Sequence, residues 1–409
     1  MGILINRREW VGSLAATATI SLMDSGAQTY AVIGAGVFGA WTAYHLRRGG
    51  HSVTLLDEYG PANSRASSGG ESRIIRASYG KDEVYTRMAM RSLALWDAFF
   101  ARTGRNLLNR TGVLWMAKQD NEYAHESRDA LRKLGVEHQD LSPSELNKRY
   151  PQIHVAENVD AIFEPNSGAL MARQAVQAVV AQFVRDGGVY QHATVRTPEG
   201  RGRLAQIVTA DNKTITADAY VFACGAWLPK VFPDALGHRI FPTRQEVIFF
   251  GIPAGDRRFE PPEMPIWIDF IDDRGMYGFP DLESRGFKVA FDRHGPEIDP
   301  DTADRFASPE KIAAARAYVA ERFPALANSP IVESRVCQYE NTSNGDFVID
   351  RHPAFENVWM AGGGSGHGFK HGPAVGEYTA ARVTGAAAPA VEPRFSLASK
   401  GTQQNRAVY

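Results

Sequence analysis

The alternation of apolar and polar positions between residues 29 and 57 predicts a strand, a helix and a second strand in direct succession. A β-branched run at residues 30–33 leads into a glycine-rich turn. Apolar residues then recur at helical spacing until two glycines at positions 49 and 50 end the helix. A second apolar strand, residues 52–56, ends on an acidic residue. This order predicts a βαβ unit.

Beyond this unit the periodicity changes twice. Helical spacing predicts helices at residues 85–102, 121–134 and 173–186, and an apolar strand at 220–222 runs into a small-residue turn. Residues 240–300 instead alternate apolar and polar side chains between many prolines, which indicates antiparallel strands. Residues 106–165 also lack nucleotide-binding features. We therefore predict an α/β protein in which a second domain interrupts a nucleotide-binding domain.

The glycine-rich turn has the spacing of a dinucleotide-binding motif. Gly34 permits a tight turn, Gly36 lets the backbone approach a pyrophosphate, and Gly39 allows close packing of helix and strand. Asp57 follows about 20 residues later, where a carboxylate can accept hydrogen bonds from a ribose hydroxyl. The alternative is a glycine-rich turn without a ligand. The complete strand, helix, strand and acid favour a nucleotide.

Composition narrows the classes of function. The 409 residues are 44% hydrophobic and carry a formal net charge of −1, so no basic field attracts nucleic acid. The two cysteines, Cys224 and Cys337, are too few for a disulfide framework and show no metal-ligand spacing with the histidines. We therefore expect no nucleic-acid partner and no metal.

The N-terminal residues 1–28 resemble a twin-arginine export signal. Arg7 and Arg8 precede a small, apolar stretch at residues 11–23, and small residues at 25–27 offer a cleavage site. The stretch is too short to span a bilayer. These features predict export to the periplasm. A plain extension on a cytoplasmic protein remains the alternative.

Two further segments carry candidate chemistry. Arg73 and Arg76 lie three residues apart after a loop of small residues, as a pair aimed at an anion or a flavin ring would, although isolated arginines usually face solvent. Lys288 stands at the centre of an apolar strand, where burying its charge is costly unless the charge has a function. The alternative is that Lys288 lies on a strand face exposed to solvent. A second glycine-rich run, residues 362–370, follows a strand and precedes a helix, so its backbone can also hold a ligand.

The ordered motifs resemble the monomeric sarcosine oxidase and N-methyltryptophan oxidase family of FAD-dependent amine oxidases. The resemblance covers residues 29 to about 385. Four stretches carry it, namely SRIIR at 72–76 with YG at 79–80, YGFP at 277–280 with Lys288, CQY at 337–339, and GSGHGFK at 364–370.

The resemblance implies a Rossmann-like FAD-binding domain of discontinuous segments and a substrate domain with a mixed or antiparallel sheet. The FAD-binding segments would be residues 29–105, 166–235 and 331–390, and the substrate domain residues 106–165 and 236–330. A polar tail would follow at 391–409.

The same resemblance assigns roles to the site residues. Arg76 and Lys370 would bind the substrate carboxylate, Lys288 would activate oxygen at the flavin, and Arg73 would stabilise the reduced flavin. The remaining assignments are Tyr277 and Tyr339 over the flavin ring, Ser72, Gly364, Gly366 and again Lys370 around the cofactor, and Cys337 as a covalent thioether to FAD.

The implied activity is oxidation of a secondary or N-alkylated amino acid to an imine, with O2 reduced to H2O2. The expected oligomeric state is a monomer. Histidines common in the family are replaced by Ser68, Gly69, Ala77 and Asp292, and His371 stands where an aromatic is usual. The choice among amines therefore stays open. A D-amino-acid or glycine-type dehydrogenase, a non-catalytic flavin-binding protein and an NAD-dependent dehydrogenase are the competing readings.

Overall fold

A computed structural model describes residues 27–272, 274–385 and 391–404 of the chain. The predicted export signal falls at residues 1–28, nearly all of which lies outside the described residues. Within the described part, no helix combines the length and the apolar composition needed to cross a membrane.

The predicted βαβ unit is confirmed and lies at the centre of a six-stranded sheet. Strands Thr29–Ile33 and Ser52–Asp57 pair in parallel on either side of the crossover helix Val37–Arg48. Four more strands of the described residues complete this sheet: Val189–His192 beside Ser52–Asp57, and Ala219–Phe222, Val358–Gly362 and Val348–Arg351 on the other side. Strands from three distant chain segments thus form one nucleotide-binding sheet.

An eight-stranded sheet of mixed direction forms the second layer of the molecule. Most neighbours in it are antiparallel, but Ile266–Phe270 runs parallel to Val113–Lys118. Among the described residues its strands are, in spatial order, Ile331–Thr342, Ile240–Phe250, Phe287–Phe291, Met276–Phe279, Ile266–Phe270, Val113–Lys118, Val159–Glu164 and Gln139–Leu141. The mixed sheet predicted for residues 106–165 and 236–330 is therefore present.

The described residues also form two smaller sheets. Ser72–Ile75, the strand that carries Arg73, pairs antiparallel with Gly168–Met171, which also pairs with Leu108–Asn109. The other small sheet is the hairpin of Gln206–Val208 and Thr214–Thr216.

The helices cover the sheets with their apolar faces. Ser142 and Glu145 form the reciprocal capping box that the sequence predicts for the short helix following them. The helices of the described residues are Val37–Arg48, Glu83–Thr103, Glu122–Lys133, Pro143–Arg149, Ala172–Arg185, Leu228–Val231, Pro233–Leu236, Pro309–Arg322 and Gly372–Thr384.

Two features of the structure bear on the predicted domain bounds, which stay a prediction. Ile331–Thr342, assigned from sequence to the FAD-binding segments, is a strand of the eight-stranded sheet, because it pairs along nearly its whole length with Ile240–Phe250. Residues 391–404 of the predicted polar tail pack on the protein. Phe395 and Leu397 are buried there, and Arg394 forms ion pairs with Asp82 and Asp346.

Candidate active site

A deep cavity opens at the carboxyl ends of the parallel strands in the six-stranded sheet. Its lining includes both glycine-rich runs, residues 34–36 and 362–368, together with Asp57, Arg73 and Tyr339. Ligands of open α/β sheets bind at this edge, where the strand order reverses. The cavity therefore lies where the βαβ motif predicts a dinucleotide.

Gly34 and Gly366 shape the two backbone walls of this cavity. Gly34 has a φ of +105°, and a Cβ atom there would lie 2.4 Å from the carbonyl oxygen of Ala223. Gly366 has a φ of +79°, and its Cβ would lie 2.8 Å from the ring of Tyr339. A side chain at either position would displace the protein atoms that form the cavity wall. Gly36 and Gly364 also line the cavity, whereas Gly39 packs behind it, where a Cβ would collide with the Gly34 carbonyl oxygen at 1.8 Å.

The N-terminus of helix Val37–Arg48 lines the cavity and can bind an anion there. No acidic residue lies in its first turn, and its N-cap, Gly36, offers no side-chain cap. The Val37 N–H donates to the Ser68 hydroxyl at 3.0 Å. Unsatisfied N–H groups and the positive end of the helix dipole favour a phosphate at this position.

Asp57 lies at the end of its strand and holds the loops around the cavity. Its carboxylate accepts hydrogen bonds from the N–H groups of Ala35, Tyr59 and Gly60 at 2.7, 2.9 and 2.8 Å. Burial raises the pKa of Asp57 despite these bonds. The carboxylate also lines the cavity, so the predicted contact to a ribose is sterically open.

Glu340 is a half-buried acid of this cavity that sequence reasoning missed. Burial raises the pKa of Glu340 to about 7, and Ser67 donates a hydrogen bond to it at 2.5 Å. Its place in the strand after the CQY motif gives no sign of burial, since the neighbouring residues are a mixture of polar and aromatic types. Only the pairing of distant segments brings it to the cavity.

A second, smaller cavity of about 70 Å³ adjoins the first. Arg73, Tyr339, Gly366 and Phe369 line both cavities, so the two share a boundary. Other side chains of the second cavity are those of Arg76, Trp115, Phe270, Tyr277, Asp292, His367 and Lys370.

Arg76 and Lys370 meet in the second cavity from opposite ends of the chain. The Arg76 guanidinium lies 4.3 Å from the ring centre of Tyr79 and 4.5 Å from that of Trp115, and it donates to the Ser78 carbonyl oxygen. Such cation–π stacking fixes the guanidinium plane. Trp115 was not identified from the sequence, because an aromatic in an apolar strand looks like ordinary core.

Lys370 is fixed just as firmly. Its ammonium donates to the Tyr79 hydroxyl at 2.9 Å and to the His367 carbonyl oxygen at 3.0 Å. Burial, and then the nearby Arg76 cation, hold the pKa of Lys370 well below its usual range. A carboxylate bound between the two cations would reverse that effect and stabilise the ammonium. Lys370 lines the second cavity and is not among the residues lining the first.

Glu164 holds the backbone that leads away from Arg76. Its buried carboxylate accepts from the N–H groups of Ala77 and Ser78 at 2.7 and 3.1 Å and from the Ser167 hydroxyl at 2.7 Å. Its supporting role depends on contacts across more than 80 residues.

Arg73 forms part of the boundary between the two cavities. It donates to the carbonyl oxygens of Ser72 and Ser67, each at 2.8 Å, and contacts the Cys337 sulfur at 3.1 Å. Cys337 is buried and unoxidised. It does not line the first cavity itself, but Arg73 and Ser67 on either side of its sulfur do.

The two predicted tyrosines face each other. Their hydroxyl oxygens lie 3.4 Å apart, and burial raises the pKa of Tyr277 to about 12.

Lys288 lies next to this boundary but lines neither large cavity. Its ammonium donates to the carbonyl and hydroxyl oxygens of Ser72 at 3.2 and 3.1 Å. Burial, and then the Arg73 cation, lower the pKa of Lys288 to about 7.

The structure thus brings the predicted residues to two adjoining cavities. Arg73, Arg76, Tyr277, Tyr339 and Lys370 line the smaller cavity, with Ser72 alongside, while the motif glycines and Asp57 surround the larger one. Lys288 and Cys337 line neither of these cavities but contact residues that do. Lys288 contacts Ser72, and Cys337 contacts Arg73 and Ser67. Among the described residues no cluster of side chains suits a metal ion.

Comparisons with known proteins agree with this geometry. The family described as DAO, FAD dependent oxidoreductase, matches residues 29–382. The monomeric sarcosine oxidase of Bacillus sp. (strain B-0618) is 34% identical over 353 residues, which cover 85% of this chain and 89% of that protein. The N-methyl-L-tryptophan oxidase of Yersinia pestis (strain Pestoides F) is 27% identical over 374 residues, covering 90% and 98%.

The fold has solved relatives. The L-proline dehydrogenase of P. horikoshii superimposes with a TM-score of 0.78 at 22% sequence identity, covering 91% of this chain and 97% of the other. This likeness concerns the fold alone.

Proposed function

The chain belongs to the family of FAD-dependent oxidoreductases, and within it to the relatives of the monomeric sarcosine oxidases; from this premise we propose that it oxidises secondary or N-alkylated amino acids. The reaction converts a C–N bond of the substrate amine to an imine and passes the electrons to O2, which gives H2O2. Water then hydrolyses the imine.

The meeting of Arg76 and Lys370 in one small cavity carries this proposal. Two buried cations close to one another are costly unless an anion lies between them. A carboxylate supplies that charge and accepts charge-assisted hydrogen bonds from both side chains. A cavity of about 70 Å³ suits a small amino acid.

The residues present fit FAD as the cofactor of the larger cavity. The two glycine-rich runs leave room along the backbone, the N-terminus of Val37–Arg48 suits the pyrophosphate, and Asp57 suits a ribose. When bound, FAD supplies the acceptor for the hydride equivalent that leaves the substrate carbon. The protein's part is then to orient the substrate and to place charge around it.

The side chains at and beside the smaller cavity bind the substrate and place charge around it. Arg76 and Lys370 hold the substrate carboxylate, and Tyr277 and Tyr339 form the wall that positions the amine. Arg73, at the boundary of the cavities, offsets negative charge that develops there. Lys288 places a buried positive charge one contact away, which favours the reduction of O2 and supports an oxidase over a dehydrogenase.

We further propose that Cys337 attaches FAD covalently as a thioether. The family resemblance supports this link, and so does the position of the sulfur beside two residues that line the larger cavity.

One experiment tests the activity and its substrate clamp. The purified protein is screened with sarcosine, other N-methyl amino acids, pipecolate and proline, and peroxide release is measured together with flavin absorbance. We expect peroxide with at least one of these substrates and a large rise in KM for Arg76→Gln. The exposed Arg87 is the matched control, because Arg87→Gln removes a guanidinium far from the cavity. Colourless protein, or turnover that Arg76→Gln leaves unchanged, would refute the proposal.

Two proposals concern the protein as a whole. Arg7 and Arg8 support export through the twin-arginine route, and fusion of residues 1–28 to a reporter tests it, with both arginines changed to lysine as the control. The resemblance supports a monomer, which sedimentation of the purified protein tests.

A further inference from the structure

A third charged group, Asp292, faces the two cations of the smaller cavity. It directly follows strand Phe287–Phe291, and its backbone N–H donates to the Gly275 carbonyl oxygen at 2.7 Å, which fixes its position. Its carboxylate lines the cavity together with Arg76 and Lys370. The proposed function has assigned no task to this carboxylate.

Asp292 is not an ordinary counter-ion of the clamp. Among the described residues, no nitrogen of Arg76 or Lys370 lies within 4.0 Å of a carboxylate oxygen, so neither cation forms an ion pair with Asp292. The opposite charges instead face each other across the cavity. This separation matches a zwitterion, whose carboxylate and ammonium lie a few ångströms apart.

The orientation of such a zwitterion follows from which cavity each group touches. Tyr339 lies close enough to Asp292 for the two groups to shift each other's pKa, and Tyr339 lines both cavities, so the Asp292 carboxylate lies towards the boundary. Arg76 and Trp115 line the smaller cavity alone. A substrate with its carboxylate on Arg76 would therefore place its nitrogen at Asp292 and its reacting carbon beside the flavin cavity.

We propose that Asp292 binds the substrate nitrogen as an ammonium and accepts its proton before oxidation. The site would then select zwitterionic amino acids whose nitrogen carries at least one hydrogen. In the transfer one N–H bond breaks and one O–H bond forms on the carboxylate, while the nitrogen keeps the electron pair of the broken bond. The neutral amine can then form the C=N bond as the hydride equivalent leaves. This inference rests on the proposed function.

The protonation properties of Asp292 suit this task. Burial raises the pKa of Asp292 to about 6, and the Arg76 and Lys370 cations oppose that rise. The titratable groups that face it are Arg76, Lys370, Tyr277 and Tyr339. A carboxylate with a pKa this close to neutrality can both hold a cation and take up a proton near pH 7.

Two inhibitors of equal shape test the inference on the holoenzyme. N,N-dimethylglycine has a carboxylate and an N–H ammonium, whereas 3-methylbutanoate has carbon in place of the nitrogen and no positive charge. Binding of each is measured by titrating the flavin absorbance of the wild type, Asp292→Asn and the exposed control Asp211→Asn. We expect Asp292→Asn to weaken dimethylglycine about 10- to 100-fold, the effect of losing a charge-assisted hydrogen bond, and to leave 3-methylbutanoate unchanged or tighter. Asp211→Asn should alter neither.

Other outcomes overturn the inference, and they separate it from the proposed function. Equal losses for both inhibitors would make Asp292 a support of the cation pair, and no loss for either would give it no part in binding. If Arg76→Gln weakens both inhibitors while Asp292→Asn is not selective, the proposed function stands and the inference fails. If the wild type binds neither inhibitor, both fail.

A second measurement needs no variant. In the wild type, the affinity for dimethylglycine relative to 3-methylbutanoate should fall as pH drops below about 6, because protonated Asp292 no longer attracts an ammonium. Taking the ratio removes the effects of Lys370 and Arg76, which act on both carboxylates alike. A ratio that stays constant between pH 5 and 8 would contradict the proposal.

Discussion

Replacing Lys288 by methionine is expected to stabilise the folded protein while it damages catalysis. Lys288 is 2% exposed at the centre of an apolar strand, and burial lowers its pKa from 10.5 to about 7. One pKa unit is equivalent to about 1.4 kcal/mol, so the buried charge costs the folded state on the order of 5 kcal/mol below pH 7. Methionine keeps the length of the side chain and removes the charge. After the loss of the two hydrogen bonds to Ser72, we expect a net gain of roughly 3 kcal/mol.

The sign of the pH dependence makes this prediction specific. Between pH 7 and about 10 the unfolded chain keeps the Lys288 proton, whereas the folded chain has released it. The unfolded state therefore binds more protons, and wild-type stability should rise with pH relative to Lys288→Met by about 1.4 kcal/mol per pH unit. Below pH 7 the difference should stay constant, because both states then hold the proton.

Urea unfolding of both proteins at several pH values between 6 and 10 measures this difference. Taking the variant minus the wild type cancels the titration of every other group. The exposed Lys118, changed to methionine, is the matched control and should show no such dependence. Reoxidation of the reduced enzyme by O2 should slow about 10²- to 10³-fold in Lys288→Met, the effect of removing a preorganised charge. A variant less stable than the wild type at pH 6, or a difference that does not change between pH 7 and 10, would refute the reasoning.

Three further substitutions test the other parts of the site. Gly34→Ala should lower stability by about 1–3 kcal/mol and reduce bound flavin, because its φ is +105° and its Cβ would meet the Ala223 carbonyl oxygen. Gly50→Ala, with a φ of +90° and open space around it, controls for backbone strain alone. Equal flavin loss in both variants would contradict a role of Gly34 in the flavin cavity. Glu164→Gln should lower the free energy of unfolding in urea by about 1–3 kcal/mol and weaken the binding of 3-methylbutanoate, because the N–H groups that position Arg76 lose a charged acceptor. Unchanged affinity would show that stacking on Tyr79 and Trp115 alone holds Arg76 in place. Cys337→Ser should release all flavin into the supernatant after acid precipitation while the wild type retains it in the pellet, and wild-type flavin that is released as well would exclude the thioether.

The sequence by itself determined the local units of this protein. The βαβ unit, the capping box at Ser142 and the glycine-rich runs were predictable, because helical and strand periods, caps and tight turns are set by residues within a few positions of one another. The family motifs also identified several residues that line the two cavities, among them Arg73, Arg76 and Lys370. These signals depend on short windows of the chain.

Only the tertiary structure decided how distant segments combine. It placed Ile331–Thr342 in the second sheet and packed residues 391–404 on the protein. It also brought Asp292 and Glu340 to the cavities and placed Glu164 behind the backbone that follows Arg76. Nothing near these three acids in the sequence marks them as part of the site or its support. Pairing between segments more than 80 residues apart depends on the packing free energy of the whole chain, and that packing turned separate charges into a cavity with cations on one side and a carboxylate on the other.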